Sequence, residues 1–252
     1  MSLSCVVQGP ILPFTKDCCV SLRTHFPNVE IILSTWKGSI VDDLSFDQLI
    51  LSEDKEWDSQ NISRQITTTL EGIKAAKHDL VMKVRSDAIF SGAGCLAHLT
   101  RWTKRDNRFK IFNNRLIVPN MQTVDPENKV PDPTWHRCFN VSDWVILGNK
   151  DDLIVLFDLP LTTGSNLSPE QYIWVNAINK RSIIQLDHML HMNHELIDKT
   201  FKFFANNLVV LDTYSQFEFK SGRYAWQKED FPHLLRHAKW LKYYQEIEDF
   251  NG

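Results

Sequence analysis

The most constraining stretch of this chain is 61–90, NISRQITTTLEGIKAAKHDLVMKVRSDAIF. Ile62, Ile66, Leu70 and Ile73 recur at helical spacing and fall on one side of a helix predicted over 60–77. A buried strand is predicted next, over 80–84, from the run Leu80-Val81-Met82-Lys83-Val84. A helix feeding straight into an apolar strand is the repeating unit of a largely parallel sheet. This strand stops at Arg85-Ser86-Asp87-Ala88. Open α/β sheets hold their ligands beyond the carboxyl ends of their strands, so chemistry is expected at this polar stretch.

The rest of the chain reads as the same fold class. Strands are expected over 4–8, 29–36 and 48–52, with a helix opening at Thr15 as N-cap and carrying the stripe Cys18, Cys19, Leu22 and Phe26. Further on, the pattern predicts a helix over 91–104 and a hairpin of 109–112 with 115–118 around Asn113-Asn114. A strand over 142–148 follows, then a helix from Asn149 to about Phe157. Ser168-Pro169-Glu170-Gln171 is a capping box with proline at the first helical position. A strand over 181–186 and a final amphipathic helix bearing His237, Trp240, Leu241 and Tyr244 complete the reading. The segment 120–137, with three prolines, Trp135 and His136, reads as a long loop on the acceptor side or a lid.

With 252 residues, 43% hydrophobic and 23% charged, the chain suits one large α/β domain. A net charge of −3 gives no basic field for nucleic acid. Five cysteines without a regular framework point to a reducing compartment. The N-terminus has no secretory pattern, and no apolar run approaches the roughly 18 residues of a membrane span. A cytoplasmic protein is expected, with peripheral contact at the inner membrane compatible with the sequence.

Several residues are placed for chemistry. Asn61, Arg64, Gln65 and Thr68 form a polar stripe near a helix start, where backbone N–H groups favour anions and Arg64 could grip a phosphate; a solvated face is the plain alternative. Asp87 could hold a metal, or Arg85 could meet phosphate directly with no metal. Glu170, in the first turn of a helix, and Asp143, ahead of a strand, compete as general base. His188, His191 and His194, three apart, could ligate a metal or simply lie exposed. No Walker, G-x-G-x-x-G, G-x-S-x-G or H-E-x-x-H motif is present, which removes the usual kinase, dehydrogenase and hydrolase readings.

The run Val6-Val7-Gln8-Gly9-Pro10-Ile11, the segment from Phe26 through Ile31-Ile32-Leu33-Ser34-Thr35-Trp36, then Leu51-Ser52-Glu53-Asp54, Asn61-Ile62-Ser63-Arg64-Gln65-Ile66 and Lys83-Val84-Arg85-Ser86-Asp87 together resemble the WavE family of lipopolysaccharide-synthesis proteins. Ser142-Asp143-Trp144 and Pro169-Glu170-Gln171-Tyr172 also fit, so the match spans 4–195. The resemblance implies an α/β glycosyltransferase of GT-A-like (Rossmann-like) fold, with a mixed, mostly parallel sheet flanked by helices. It implies a domain over 1–197, with 4–90 the nucleotide-binding half and 91–197 the acceptor half. The mainly helical tail, 198–252, would be an extension packed on that domain. The implied donor is a nucleotide-sugar and the implied acceptor a glycan or lipid-linked glycan of bacterial surface polysaccharide or lipopolysaccharide core.

In such folds an acidic D-x-D motif holds Mn²⁺ or Mg²⁺ on the diphosphate. Here the matching place reads Arg85-Ser86-Asp87, leaving Asp87 as the acid for that ion. The resemblance also places Gln8 and Gly9 against the nucleotide and Glu170 as the base, and the Asn61, Arg64, Gln65 stripe and the Arg85-Ser86-Asp87 end are expected to face one nucleotide-sugar diphosphate together. Two other readings stand beside it: a non-catalytic sugar-nucleotide-binding or scaffold protein, and a sugar nucleotidyltransferase. The latter is disfavoured because Gln8-Gly9-Pro10-Ile11-Leu12-Pro13 has no Lys or Arg to handle a triphosphate.

Overall fold

The computed structural model describes residues 2–56, 58, 60–127, 138–182, 184–187, 193–223 and 232–247. In chain order the elements begin with β1 (Leu3–Gln8), α1 (Thr15–His25), β2 (Glu30–Trp36), β3 (Gln48–Ser52), α2 (Ile62–Ala75), β4 (Leu80–Arg85) and β5 (Ala88–Phe90). Then follow β6 (Leu116–Pro119), β7 (Val145–Asn149), α3 (Lys150–Phe157), α4 (Pro169–Arg181), α5 (His194–Asn207), β8 (Leu208–Leu211), β9 (Phe219–Ser221) and α6 (His237–Gln245).

Seven strands form the central sheet in the order β3-β2-β1-β4-β7-β6-β8. Strands β1 to β4 are mutually parallel, β7 runs against β4 and β6, and β8 runs with β6. This is the mixed, mostly parallel α/β sheet flanked by helices that the sequence implies. Burial explains the unbroken apolar runs: Cys5-Val6-Val7, Ile31-Ile32-Leu33, Leu116-Ile117-Val118 and Val145-Ile146-Leu147 are all buried. The chain steps outward from β1 to β2 and β3, then returns to the other flank of β1 as β4. That reversal is a topological switch point, and the carboxyl ends of β1 and β4 meet there with Gln8 opposite Arg85.

Helix α2 lies directly on this half of the sheet. Ser34 Oγ donates to the Thr68 carbonyl at 2.6 Å. A Cβ on Gly72 would come within 2.3 Å of Val6 Cγ1, so the close approach needs glycine. Helix α4 opens as expected. The Ser168 hydroxyl accepts the Gln171 N–H at 3.2 Å, the Gln171 side chain accepts the Ser168 N–H at 3.3 Å, and Pro169 is the first helical residue.

Other expectations give way to tertiary bonding. Thr15 is the first residue of α1 rather than its cap, and its hydroxyl accepts the Leu12 N–H at 2.9 Å. The Asn149 side chain makes no cap on α3. The helix expected over 91–104 is only a 3-10 turn, Gly94–His98. Beyond it the Trp102 carbonyl takes the Arg115 guanidinium at 2.8 Å, and the Thr103 and Lys104 N–H groups donate to the Tyr244 hydroxyl at 3.1 Å each. These side chains supply what a helix would otherwise supply.

The expected hairpin at Asn113-Asn114 does not form. Both backbone N–H groups donate to the Asp152 carboxylate, at 2.7 and 2.8 Å, and β6 pairs instead with β7 and β8. Among the described residues of 181–186 no strand forms: Arg181 ends α4, and the Asn179 side chain bonds both the N–H and the carbonyl of Leu186. The segment from 198, expected as an extension, supplies β8 to the central sheet, and β9 pairs with β5. Trp135, His136, His188 and His191 lie outside the described residues. No helix among the described residues is long and apolar enough to cross a membrane.

Candidate functional site

A cavity of ≈ 540 Å³ opens at the carboxyl ends of β1 and β4. Gln8, Gly9, Asn61, Arg64, Gln65, Arg85, Ser86, Asp87, Asp143 and Glu170 all line it, whereas Thr68 and His194 do not. Because β7 is antiparallel to β4, its beginning lies at the same edge, which brings Asp143 there from far along the chain. The start of α2 and the start of α4 close the remaining sides.

The floor is bonded across chain segments. Gly9 adopts φ 122°, a conformation that suits glycine, and its N–H donates to the Ser34 carbonyl at 3.2 Å. Ser86 N–H donates to the Gln8 carbonyl at 3.0 Å, and Ser86 Oγ donates to the Pro10 carbonyl at 2.7 Å. Gln8 Nε2 donates to Thr68 Oγ1 at 2.9 Å. Gln65 Nε2 donates to Asp143 Oδ2 at 2.7 Å.

The start of α2 is already supplied with negative charge. Asp58, buried, accepts the Arg64 backbone N–H at 3.1 Å, and Arg64 presents its Nε and Nη2 to the two oxygens of Asp54 at 2.7 and 3.1 Å. Arg64 Nη1 also donates to Asn61 Oδ1 at 3.0 Å. The phosphate-gripping fork anticipated at Arg64 is thus spent on a carboxylate, and Asn61 caps the helix from a left-handed conformation without a side-chain bond to it.

Arg85 centres a second cluster of paired charges. Its guanidinium lies 4.0 Å over the Trp144 ring, with Nε 3.3 Å from Asp87 Oδ1 and Nη1 3.9 Å from Asp143 Oδ1. Asp87 is buried, and its other oxygen lies 3.1 Å from Arg223 Nε. A carboxylate with a cation on each oxygen is a poor offer to a divalent ion, and among the described residues no three His, Cys, Asp or Glu converge on a point. Asp87 and its arginines do not fit a metal centre. His194 begins α5 and lines a different cavity, of ≈ 440 Å³.

Glu170 is the acid whose proton affinity departs most usefully. Burial raises it first and the neighbouring Asp143 charge second, bringing it from 4.5 to about 7, although its place in the first turn of α4 favours an anion. Beneath the cleft, Lys83 is fully buried in β4 and donates to the Asp143 carbonyl. Burial lowers its ammonium to about 8 against the opposing pull of Asp143.

A family model described as WavE lipopolysaccharide synthesis matches residues 3–249. The chain belongs to the WavE family. No curated protein matches it. The crystal structure of S. aureus TarS is similar at a TM-score of 0.46 and 12% identity, over 88% of this chain and 36% of that one. The chain therefore spans only 36% of that protein's length.

Within this WavE chain the residues that sequence reading passed over are Lys83, Trp144 and Arg223. Lys83 had a visible signal, a lysine inside an apolar strand, where an unneeded charge is expensive. Trp144 stood beside Asp143 with nothing to mark it as a platform for Arg85. Arg223 had none, because only the pairing of β5 with β9 brings it to Asp87.

Proposed function

We propose that the protein transfers a sugar from a nucleotide-sugar donor to a glycan or lipid-linked glycan acceptor in lipopolysaccharide core or surface polysaccharide synthesis. The observation that carries this is the pairing, in one switch-point cleft, of a cationic group at Arg85 with a carboxyl poised near neutrality at Glu170. The acceptor oxygen attacks the anomeric carbon while the bond from that carbon to the diphosphate oxygen breaks. Glu170 takes the acceptor proton, a role suited to a base whose proton affinity lies near working pH. The leaving diphosphate gathers negative charge, and Arg85, held over Trp144, offsets it. Asp143 stands next to Glu170 in electrostatic reach and is the alternative base; its carboxylate is committed to Gln65, which favours Glu170.

Charge neutralisation by arginine takes the place of a metal in this reading, and no step passes through one. A lipid-linked acceptor would bring the protein to a membrane surface peripherally. The reading is tested by thermal shift with UDP-, GDP- and dTDP-sugars. A donor at a hundredfold its dissociation constant adds about 2.7 kcal/mol of stability, and no shift with any of them would sink the proposal.

A further inference from the structure

Lys83 stands in the middle of β4, 0% exposed, opposite Val6 of β1 and Ile146 of β7. Residues opposite one another on neighbouring strands share a face of the sheet. Val6 is the residue that Gly72 of α2 closes on, so Lys83 lies on the face that α2 covers. Burying an ammonium among apolar residues is costly, and a methionine would fill the same space without that cost. A charge kept in such a place points to a use for it.

The ammonium donates to the Asp143 carbonyl, where the chain comes up to β7. The Asp143 carboxylate is held separately, by Gln65. Asp143 is thus fixed at its backbone from below and at its side chain from α2. The charged groups around Lys83 are Asp143, Arg85, Asp87 and, from the start of α4, Glu170. Helix α2 brings the neutral Gln65 and, at its start, Arg64, whose fork is on Asp54; β1 brings the neutral Gln8. The cleft arginines are engaged by other acids, Arg85 by Asp87 and Asp143, and Arg223 by Asp87. Asp143 and Glu170 repel one another when both are charged, which after burial is the second reason Glu170 holds its proton. The buried ammonium attracts both carboxylates.

We propose that Lys83 is a positioning residue for the transfer reaction: from beneath the cleft its ammonium fixes Asp143 and offsets the repulsion between Asp143 and Glu170, so that both carboxyls can be charged at once. The proposal rests on the reading of Glu170 as the base. Lys83 does not line the cavity and acts through Glu170, which it keeps free to take the acceptor proton. Coupling between two charges is reciprocal, so Glu170 acts on the protonation of Lys83 as strongly as Lys83 acts on that of Glu170.

The test is NMR titration of the full chain, following the carboxyl carbons of Asp and Glu and the ε-carbons of lysine, with Glu170→Gln and Lys83→Met assigning the two residues. Glu170 in the wild type titrates near 7. In Lys83→Met its midpoint moves up by about one pH unit or more, the effect of removing a nearby opposite charge. In Glu170→Gln, which leaves the sheet untouched, the Lys83 midpoint moves down from about 8 by a comparable amount. The pH at which transfer switches on moves up with Glu170 in Lys83→Met. A lysine of merely structural use lowers the melting temperature of Lys83→Met and leaves the Glu170 midpoint where it was. That result overturns the proposal, as does a Lys83 midpoint unchanged in Glu170→Gln, and either leaves Glu170 standing as the base. Where Lys83→Met does not fold, the Glu170→Gln titration decides alone. A Glu170 midpoint that moves while the pH dependence of transfer stays put overturns the base reading and the proposal together.

Discussion

Gln65 on α2 donates its side-chain amide to Asp143 ahead of β7, a 2.7 Å bond between buried groups. A carboxylate only accepts, so the nitrogen end of Gln65 must face it. This contact ties the helix that begins at the cleft to the acid beside Glu170. Replacing Gln65 with Leu keeps the bulk and removes the donor. A buried acceptor stripped of its partner costs about 1–3 kcal/mol. Urea unfolding is expected to show that loss, and a midpoint equal to wild type would mean the bond does not hold Asp143.

If Glu170 is the base, as proposed, it controls the pH response of transfer. Its carboxyl titrates near 7, so the base is half charged there, and activity is expected to rise with pH through that value. Glu170→Gln removes the base and lowers kcat by about 10²–10⁴-fold with donor affinity unchanged. The same substitution stabilises the fold. Because the folded state holds the proton more tightly than the unfolded chain, stability is full below about 4.5 and is lost as pH rises to about 7. Gln cannot ionise, so Glu170→Gln is expected to be more stable than wild type above pH 7 by on the order of 2 kcal/mol. A pH profile without a break near 7, or transfer that survives the substitution, moves the role to Asp143.

Lys83 produces the opposite slope at higher pH. Its ammonium is buried and its proton affinity lowered from 10.5 to about 8. Between these values the unfolded chain binds more protons than the folded one, so its contribution makes stability climb with pH. Lys83→Met abolishes that contribution. The difference between wild type and variant, read by urea unfolding at pH 7.5 to 10.5, is expected to grow in favour of wild type across this window by on the order of 2–3 kcal/mol. A constant difference would show that Lys83 is not the titrating group.

The half of the sheet from β1 to β4 was legible because its signals are local: apolar runs of strand length, a helical stripe on α2, and a capping box on α4. The cleft-lining residues named from the sequence could be named for a related reason, since the ends of those elements are where a switch-point cleft is expected, whereas Lys83, Trp144 and Arg223 were passed over. What failed was bonding between distant segments. The helix expected over 91–104 lost its backbone groups to Arg115 and Tyr244, and the Asn113-Asn114 turn was taken by Asp152. Arg64 looked like a phosphate ligand because Asp54, ten residues earlier in sequence, gave no sign of folding back onto it. Arg223 was invisible because β9 carries only three residues, too few for a strand signature.

The central claim is that this cleft catalyses donor-dependent glycosyl transfer without a metal. The most direct measurement is release of nucleoside diphosphate from a panel of nucleotide-sugars, with and without lipopolysaccharide core oligosaccharides, in EDTA. The account predicts acceptor-dependent release that persists in EDTA and falls by about 10²-fold or more in Glu170→Gln. Release from no donor, or release that needs added divalent metal, would contradict it.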